Sequence, residues 1–242
     1  MMESSMIINA AESCGISITE EQAELFGQYY HLLQAENKKY NLTSIKNEEA
    51  VLYDHFIDSL WGVSAAGGCP AKELLDLGSG AGFPGVPLKI FCPQLKLYLL
   101  EVSQKKNAFL QQLTENLGLR DVIFLKARAE EVGQGENRET YEWVTARAVA
   151  SLPVLAELAL PLLSIGGYFW AFKGPAAGAE LKEAEEIVSR CGGILKENIS
   201  YKLPPGGKER CILVFEKVRE AEKRFPRRVG VPQKRPFGTA VE

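Results

Sequence analysis

The chain is poor in cysteine and poorer in histidine: five cysteines, none spaced as CxxC, and two histidines, His31 and His55, in 242 residues. Cysteines scattered at Cys14, Cys69, Cys92, Cys191 and Cys211 supply neither zinc-ligand spacing nor an even disulfide framework. Neither a disulfide framework nor a metal site is therefore expected, and a reducing compartment is. Met1-Met2-Glu3-Ser4 lacks the basic-then-apolar order of an export signal. The longest uncharged run, Leu158 to Phe172, is too short to span a bilayer and is interrupted by Pro161, Gly166 and Gly167. A cytoplasmic protein is the expectation, with no membrane partner. There is no internal repeat and no low-complexity segment.

Hydrophobic residues make up 46% of the chain and charged residues 24%, the balance of a globular protein with a sizeable core. Net charge is only −3, but it is unevenly spread. Residues 217–242 hold eight basic and three acidic side chains, so a tail of +5 follows a body of −8. An acidic body with a basic end points to a polyanion met at that end. A merely solvated basic end is the alternative.

The first seventy residues read as helical. Thr19 and Gln22 fit a capping box, and Leu25, Tyr29 and Leu32 with Phe26, Tyr30 and Leu33 then line one apolar face. A further helix is expected from about Asn47, carrying Val51, Leu52, Phe56, Leu60 and Trp61. Ala65-Ala66-Gly67-Gly68-Cys69-Pro70 reads as a linker. Beyond it the rhythm changes to short apolar runs at 74–77, 97–100, 122–125, 143–145 and 168–172, with helical patterns between them. Runs at 194–203 and 210–216, separated by Pro204-Pro205-Gly206-Gly207, form a hairpin. The expected architecture is α/β, a doubly wound, mostly parallel seven-stranded sheet with a helical extension before it. The boundaries expected are residues 1–70 for the helical lobe, 71–217 for the Rossmann-like domain and 218–242 for the basic tail.

The segment Asp76-Leu-Gly78-Ser-Gly80-Ala-Gly82-Phe83-Pro84-Gly85 runs from a strand through a glycine-rich turn into a helix, the place where an open α/β sheet binds a nucleotide. Gly80, Gly82 and Gly85 satisfy GxGxxG literally, so a dinucleotide is one reading. Asp76, two residues before the first glycine, would repel a pyrophosphate, whereas cationic S-adenosylmethionine would be tolerated. Glu101, about twenty residues on, suits ribose hydroxyls in either cofactor. A glycine turn with no ligand is the third reading.

This spacing resembles the cofactor loop of the bacterial 16S ribosomal RNA guanine-N7 methyltransferases, the glucose-inhibited division protein B family. The resemblance covers nearly the whole chain. It takes in Asn41-Leu-Thr43, His55-Phe-Ile-Asp58-Ser59-Leu60, Ala146-Arg147-Ala148, Lys173-Gly174 and Pro226-Arg-Arg-Val-Gly-Val-Pro-Gln-Lys-Arg-Pro236. Glu101 stands where many members have Asp. The resemblance implies a class I S-adenosylmethionine-dependent methyltransferase fold. It also implies methyl transfer to N7 of a guanine in 16S rRNA, guanosine 527, within the small ribosomal subunit. Asp76, Gly78, Gly80, Gly82 and Phe83 would belong to the cofactor loop, Glu101 would meet the ribose, Ala129 and Glu130 would lie by the adenine, and Arg147 would complete the pocket.

Arg147 and Lys173 are candidates for positioning the reaction, and together they would make a positive rim. Guanine N7 carries its lone pair in the neutral base, so no general base is expected. An arginine directly after an apolar strand is costly to half-bury without a partner. Glu130 could equally be a solvated helix-start acid, and Lys173 an ordinary exposed lysine. His55, Asp58 and Ser59 share a helix face, either over the site or as a network joining lobe to sheet. Arg227, Arg228, Lys234 and Arg235, interleaved with prolines and Phe237, are candidates for RNA contact, with Lys173 nearer the pocket. A monomer is expected. Rival readings are an NAD-dependent oxidoreductase, a non-catalytic RNA-binding assembly factor, and a small-molecule methyltransferase.

Overall fold

The computed structural model describes residues 2–40, 42–43 and 47–238. Asn41 of the Asn41-Leu-Thr43 motif and the last four residues of the tail lie outside them. Seven strands form one sheet: β1 (Glu73–Leu77), β2 (Lys96–Leu100), β3 (Val122–Leu125), β4 (Tyr141–Arg147), β5 (Leu163–Lys173), β6 (Gly193–Leu203) and β7 (Lys208–Lys217). Their order is β3-β2-β1-β4-β5-β7-β6. The first five run parallel, and β7 pairs antiparallel with both β5 and β6. This is the doubly wound arrangement with a terminal hairpin read from the apolar runs.

Before the sheet come α1 (Ser4–Ser13), α2 (Glu20–Tyr40), α3 (Glu48–Val51), a π-helical turn (Leu52–Ile57) and α4 (Asp58–Ala65). Between and after the strands come α5 (Gly85–Phe91), α6 (Gln104–Asn116), α7 (Ala129–Gln134), α8 (Leu152–Ala159), α9 (Ala177–Arg190) and α10 (Val231–Lys234). The capping box is complete: Thr19 N–H donates to Gln22 Oε1 (3.0 Å) and Gln22 N–H to Thr19 Oγ1 (3.2 Å). Asn47 caps α3 through the amide of Ala50. No described helix is long and apolar enough to cross a membrane.

The strands alternate residue by residue between two cores, as the pleat requires. Leu74, Trp143, Trp170 and Val214 face one side with the N-terminal helices, α5 and α6. Leu75, Val144, Phe169 and Phe215 face the other with α7, α8 and α9. The helical lobe is thus the cover of one sheet face and shares its core. Gly62 permits this docking, because a Cβ there would lie 2.6 Å from Ile212 Cδ1 and 2.7 Å from Trp170 Cζ3.

Cys69 and Cys92 are joined by a disulfide with their Cα atoms 6.7 Å apart, tying the linker before β1 to the residue after α5. Spacing along the chain carries no information about this approach in space. Cys14, Cys191 and Cys211 remain free thiols.

Candidate active site

β1 lies inside the sheet, third in order, with β2 on one side and β4 on the other. At that switch point the crossovers part to opposite faces and leave a crevice beyond the strands' carboxyl ends. The glycine loop fills its floor. Gly78 N–H and Ser79 N–H both donate to Leu100 O, at 2.9 and 3.2 Å, which pins the loop to the end of β2. Gly82 has φ +100°, and a Cβ there would sit 2.6 Å from the Tyr29 hydroxyl, so backbone angle and packing both demand glycine.

Asp76 does not face the crevice. Its side chain is fully buried; Oδ1 accepts from Thr145 Oγ1 at 3.1 Å and Oδ2 from Gly85 N–H at 3.1 Å. Burial raises its pKa to about 6, and those hydrogen bonds and the Arg147 charge oppose the rise. Asp76 is therefore a brace joining β1, β4 and the first residue of α5. Phe83 is likewise turned away. Its ring stacks on His55 (4.3 Å) and Tyr29 (5.1 Å), fastening the glycine loop to the helical lobe.

Two cavities open at the strand ends. The first, about 280 Å³, is lined by Gly78, Glu101, Val102, Ala129, Glu130 and Val149 among others. It gathers four of the residues expected at the cofactor. Glu101 Oε2 accepts from Gly80 N–H (3.0 Å) and Oε1 from Ser103 N–H (2.8 Å), with Lys106 Nζ at 3.8 Å. A carboxylate oxygen has two lone pairs, so each retains one for a donor in the cavity. Val102 and Val149 are 44% and 36% exposed, two apolar side chains with nothing covering them at the mouth. A carboxylate beside apolar walls fits a ribose diol and a flat base.

The second cavity, about 410 Å³, lies between the lobe, the end of β4 and the β6–β7 hairpin. It meets the first at Ala148, a non-glycine residue held at φ +55°. Arg147 lies on its wall with 12% of its side chain exposed. Nη1 donates to Asp58 Oδ2 at 2.9 Å and to the carbonyls of Asp54 and His55 at 3.2 and 3.4 Å. Those carbonyls belong to the π-helical turn, and such turns free backbone acceptors for outside partners. Nη2 donates to His55 Nδ1 at 3.0 Å. Arginine cannot accept, so Nδ1 is the acceptor and the neutral ring carries its proton on Nε2, which donates to Thr43 Oγ1 at 2.9 Å. Burial first, and the Arg147 charge second, lower the His55 pKa to about 3. The histidine is neutral at physiological pH with both nitrogens occupied.

The expected positive rim is corrected. Lys173 Nζ is bound to Glu180 Oε2 at 2.6 Å and donates to Ala150 O at 3.0 Å, with only 10% of the side chain exposed. Arg210 pairs with Asp54 and Asp58, and Lys208 with Asp54. Carboxylates thus match the cations of this cavity, and Lys173 is not free for a phosphate. Tyr201 completes the network by donating to Asp58 Oδ1 at 2.7 Å, with Trp61 stacked on its ring at 4.8 Å. No local pattern singled out Tyr201, Arg210, Thr145 or Glu180. Ser59 Oγ donates back to His55 O, within the lobe.

The tail divides. Arg227, expected on RNA, makes a two-pronged bond to the fully buried Glu157: Nε to Oε1 at 2.8 Å and Nη2 to Oε2 at 2.6 Å. Its charge is spent inside the protein. Arg228, Lys234 and Arg235 are exposed, and among the described residues no acid pairs with them. Glu130, expected by the adenine, accepts from Gly230 N–H at 2.8 Å as it lines the first cavity.

Among known proteins, residues 22–203 match the family model for rRNA small subunit methyltransferase G. The Ribosomal RNA small subunit methyltransferase G of Pelotomaculum thermopropionicum is 45% identical over 96% of this chain and 97% of its own. That of Alkaliphilus metalliredigens is 40% identical over 98% of this chain and 100% of its own. Among solved structures, the YcgJ protein from Bacillus subtilis superposes with a TM-score of 0.52 at 13% identity, over 69% of this chain and 100% of that one, a likeness of fold. The shared architecture is the doubly wound, Rossmann-like seven-stranded sheet. The chain belongs to the rRNA small subunit methyltransferase G family.

Proposed function

We propose that this protein transfers the methyl group of S-adenosylmethionine to N7 of guanosine 527 in the 16S rRNA of the small ribosomal subunit. What supports the finer reading is the chemistry of the second cavity. It adjoins the cofactor cavity at Ala148, yet its imidazole is neutral, accepts from Arg147 and donates to Thr43. A neutral guanine N7 needs no proton removed, so a cavity that orients without a free base suits it. Methylation of an exocyclic amino group would have to lose a proton.

When bound, S-adenosylmethionine supplies a methyl group on a positive sulfur. Glu101 would accept from the ribose hydroxyls, with Val102 and Val149 flanking the adenine beside Ala129 and Glu130. The glycine loop offers bare backbone at Gly78 and Gly80. Arg147, fixed on four acceptors at once, is a rigid cation on the wall where the target base would lie, and it needs no reorganisation as charge shifts. Arg228, Lys234 and Arg235 would meet RNA phosphates. The test is nucleoside analysis of small subunits methylated with labelled donor. Label in 7-methylguanosine alone is expected; label in an amino-methylated base would replace this reading by another.

A further inference from the structure

The segment after β7 returns across the back of the cofactor cavity and is fastened there by hydrogen bonds and close packing. Arg138 Nη2 donates to Ala221 O at 3.0 Å and Gln134 Nε2 to Pro226 O at 2.8 Å. Pro226 packs against Gly133 so closely that a Cβ there would lie 2.9 Å from its Cγ. Gln134 and Gly133 are on α7, and α7 begins with Ala129 and Glu130 of the first cavity. Arg227 grips Glu157 on α8, one residue from Leu158, which also lines that cavity. Three residues on, at φ +77°, Gly230 presents its N–H to Glu130. The same short stretch therefore holds both helices that wall the nucleoside end.

We propose that residues Phe225 to Gly230 form a positioning strap for the cofactor: the Arg227–Glu157 pair sets the stretch so that Gly230 holds the Glu130 carboxylate in place on the cavity wall. Among the described residues the Gly230 amide is the one hydrogen-bond donor to that carboxylate. Oε1 is thereby fixed, and Oε2 is left for a donor from the nucleoside, such as an exocyclic amino group. Glu130 is only 6% exposed. Without its partner such a carboxylate would turn towards water, because a buried charge lacking hydrogen bonds is costly. The inference rests on the reading of the first cavity as the cofactor site. It makes Arg227 a residue for the donor, acting through Glu130, and leaves RNA contact to its exposed neighbours.

The experiment is calorimetric titration of S-adenosylmethionine and of S-adenosylhomocysteine, without RNA, into the full chain, Arg227→Ala, Glu130→Ala and the double variant. Each is measured well below its melting temperature. Each single substitution should weaken both ligands about tenfold, the scale of a hydrogen bond to a charged group. The double variant should be no weaker than either single one, since both break one connection. Losses that multiply in the double variant, or a folded Arg227→Ala with unchanged affinity, overturn the strap. If Arg227→Ala does not fold, Arg227→Lys replaces it, keeping the charge but losing the fork, and the same non-additivity is required. Wild-type protein that binds neither ligand would instead refute the cofactor reading itself.

Discussion

Arg227→Ala tests the assignment of this side chain to the interior. The substitution removes the guanidinium fork that donates to both oxygens of the fully buried Glu157, and leaves it the backbone N–H at 227. Breaking a buried pair by removing one partner costs about 3–5 kcal/mol, because an uncompensated charge remains. Unfolding entropy of about 2 cal/mol/K per residue gives about 0.5 kcal/mol/K for 242 residues. The melting temperature should therefore fall by about 6–10 °C. The adjacent Arg228→Ala, on an exposed side chain, should cost less than about 0.5 kcal/mol, or about 1 °C. Replacing the pair together, Arg227→Met with Glu157→Leu, should recover most of the loss, since an apolar pair of similar volume carries no desolvation cost. Differential scanning calorimetry at pH 7 reads all three. An Arg227→Ala protein melting within about 1 °C of wild type would show that Glu157 is not dependent on the tail.

Three further outcomes follow from the same geometry. His55, lowered to about 3, refuses a proton that the unfolded chain takes up below about pH 6.5. It should therefore withdraw stability on acidification, by up to about 1.4 kcal/mol per pH unit. Asp76, raised to about 6, acts in the opposite sense and is most favourable when protonated. Denaturant titrations of wild type and His55→Gln should thus diverge below pH 6.5, and parallel curves would contradict a buried neutral imidazole. Gly82→Ala should lose more than about 2 kcal/mol and abolish cofactor binding, because the methyl group meets the Tyr29 hydroxyl at 2.6 Å; a stable, binding variant would mean the loop adapts. Alanine at Arg228, Lys234 and Arg235 together should weaken RNA binding and lower the slope of log K against log salt by up to about 2, at about 0.7 per single-strand phosphate contact. An unchanged slope would remove the tail from the RNA interface.

Much of the fold was legible because its signals are local. Alternation such as Leu74–Leu75 and Trp143–Val144 sorts side chains onto two faces whatever covers them, so the strands follow from the apolar runs. The caps at Thr19 and Asn47 are likewise short-range devices. What the sequence could not reveal are the partners brought in from a distance. Arg147 was marked as needing one, yet its carboxylate, Asp58, lies 89 residues away, and Arg227 finds Glu157 across 70. Charge counts treated the tail's cations as equivalent, although one of them is structural. Asp76 at the strand end reads as a ligand-facing acid, because Thr145, the partner that encloses it with Gly85, lies 69 residues away. The π-helical turn at Leu52–Ile57 has no periodic signature, and it is what presents its carbonyls to Arg147.

The most direct test is to incubate the protein and labelled S-adenosylmethionine with small ribosomal subunits, and separately with naked 16S RNA, from cells that lack it. The products are then mapped by strand cleavage specific for 7-methylguanine. One new cleavage site, at guanosine 527, is the expected result. Methyl incorporation with no 7-methylguanine cleavage, or cleavage at a different guanosine, would contradict it.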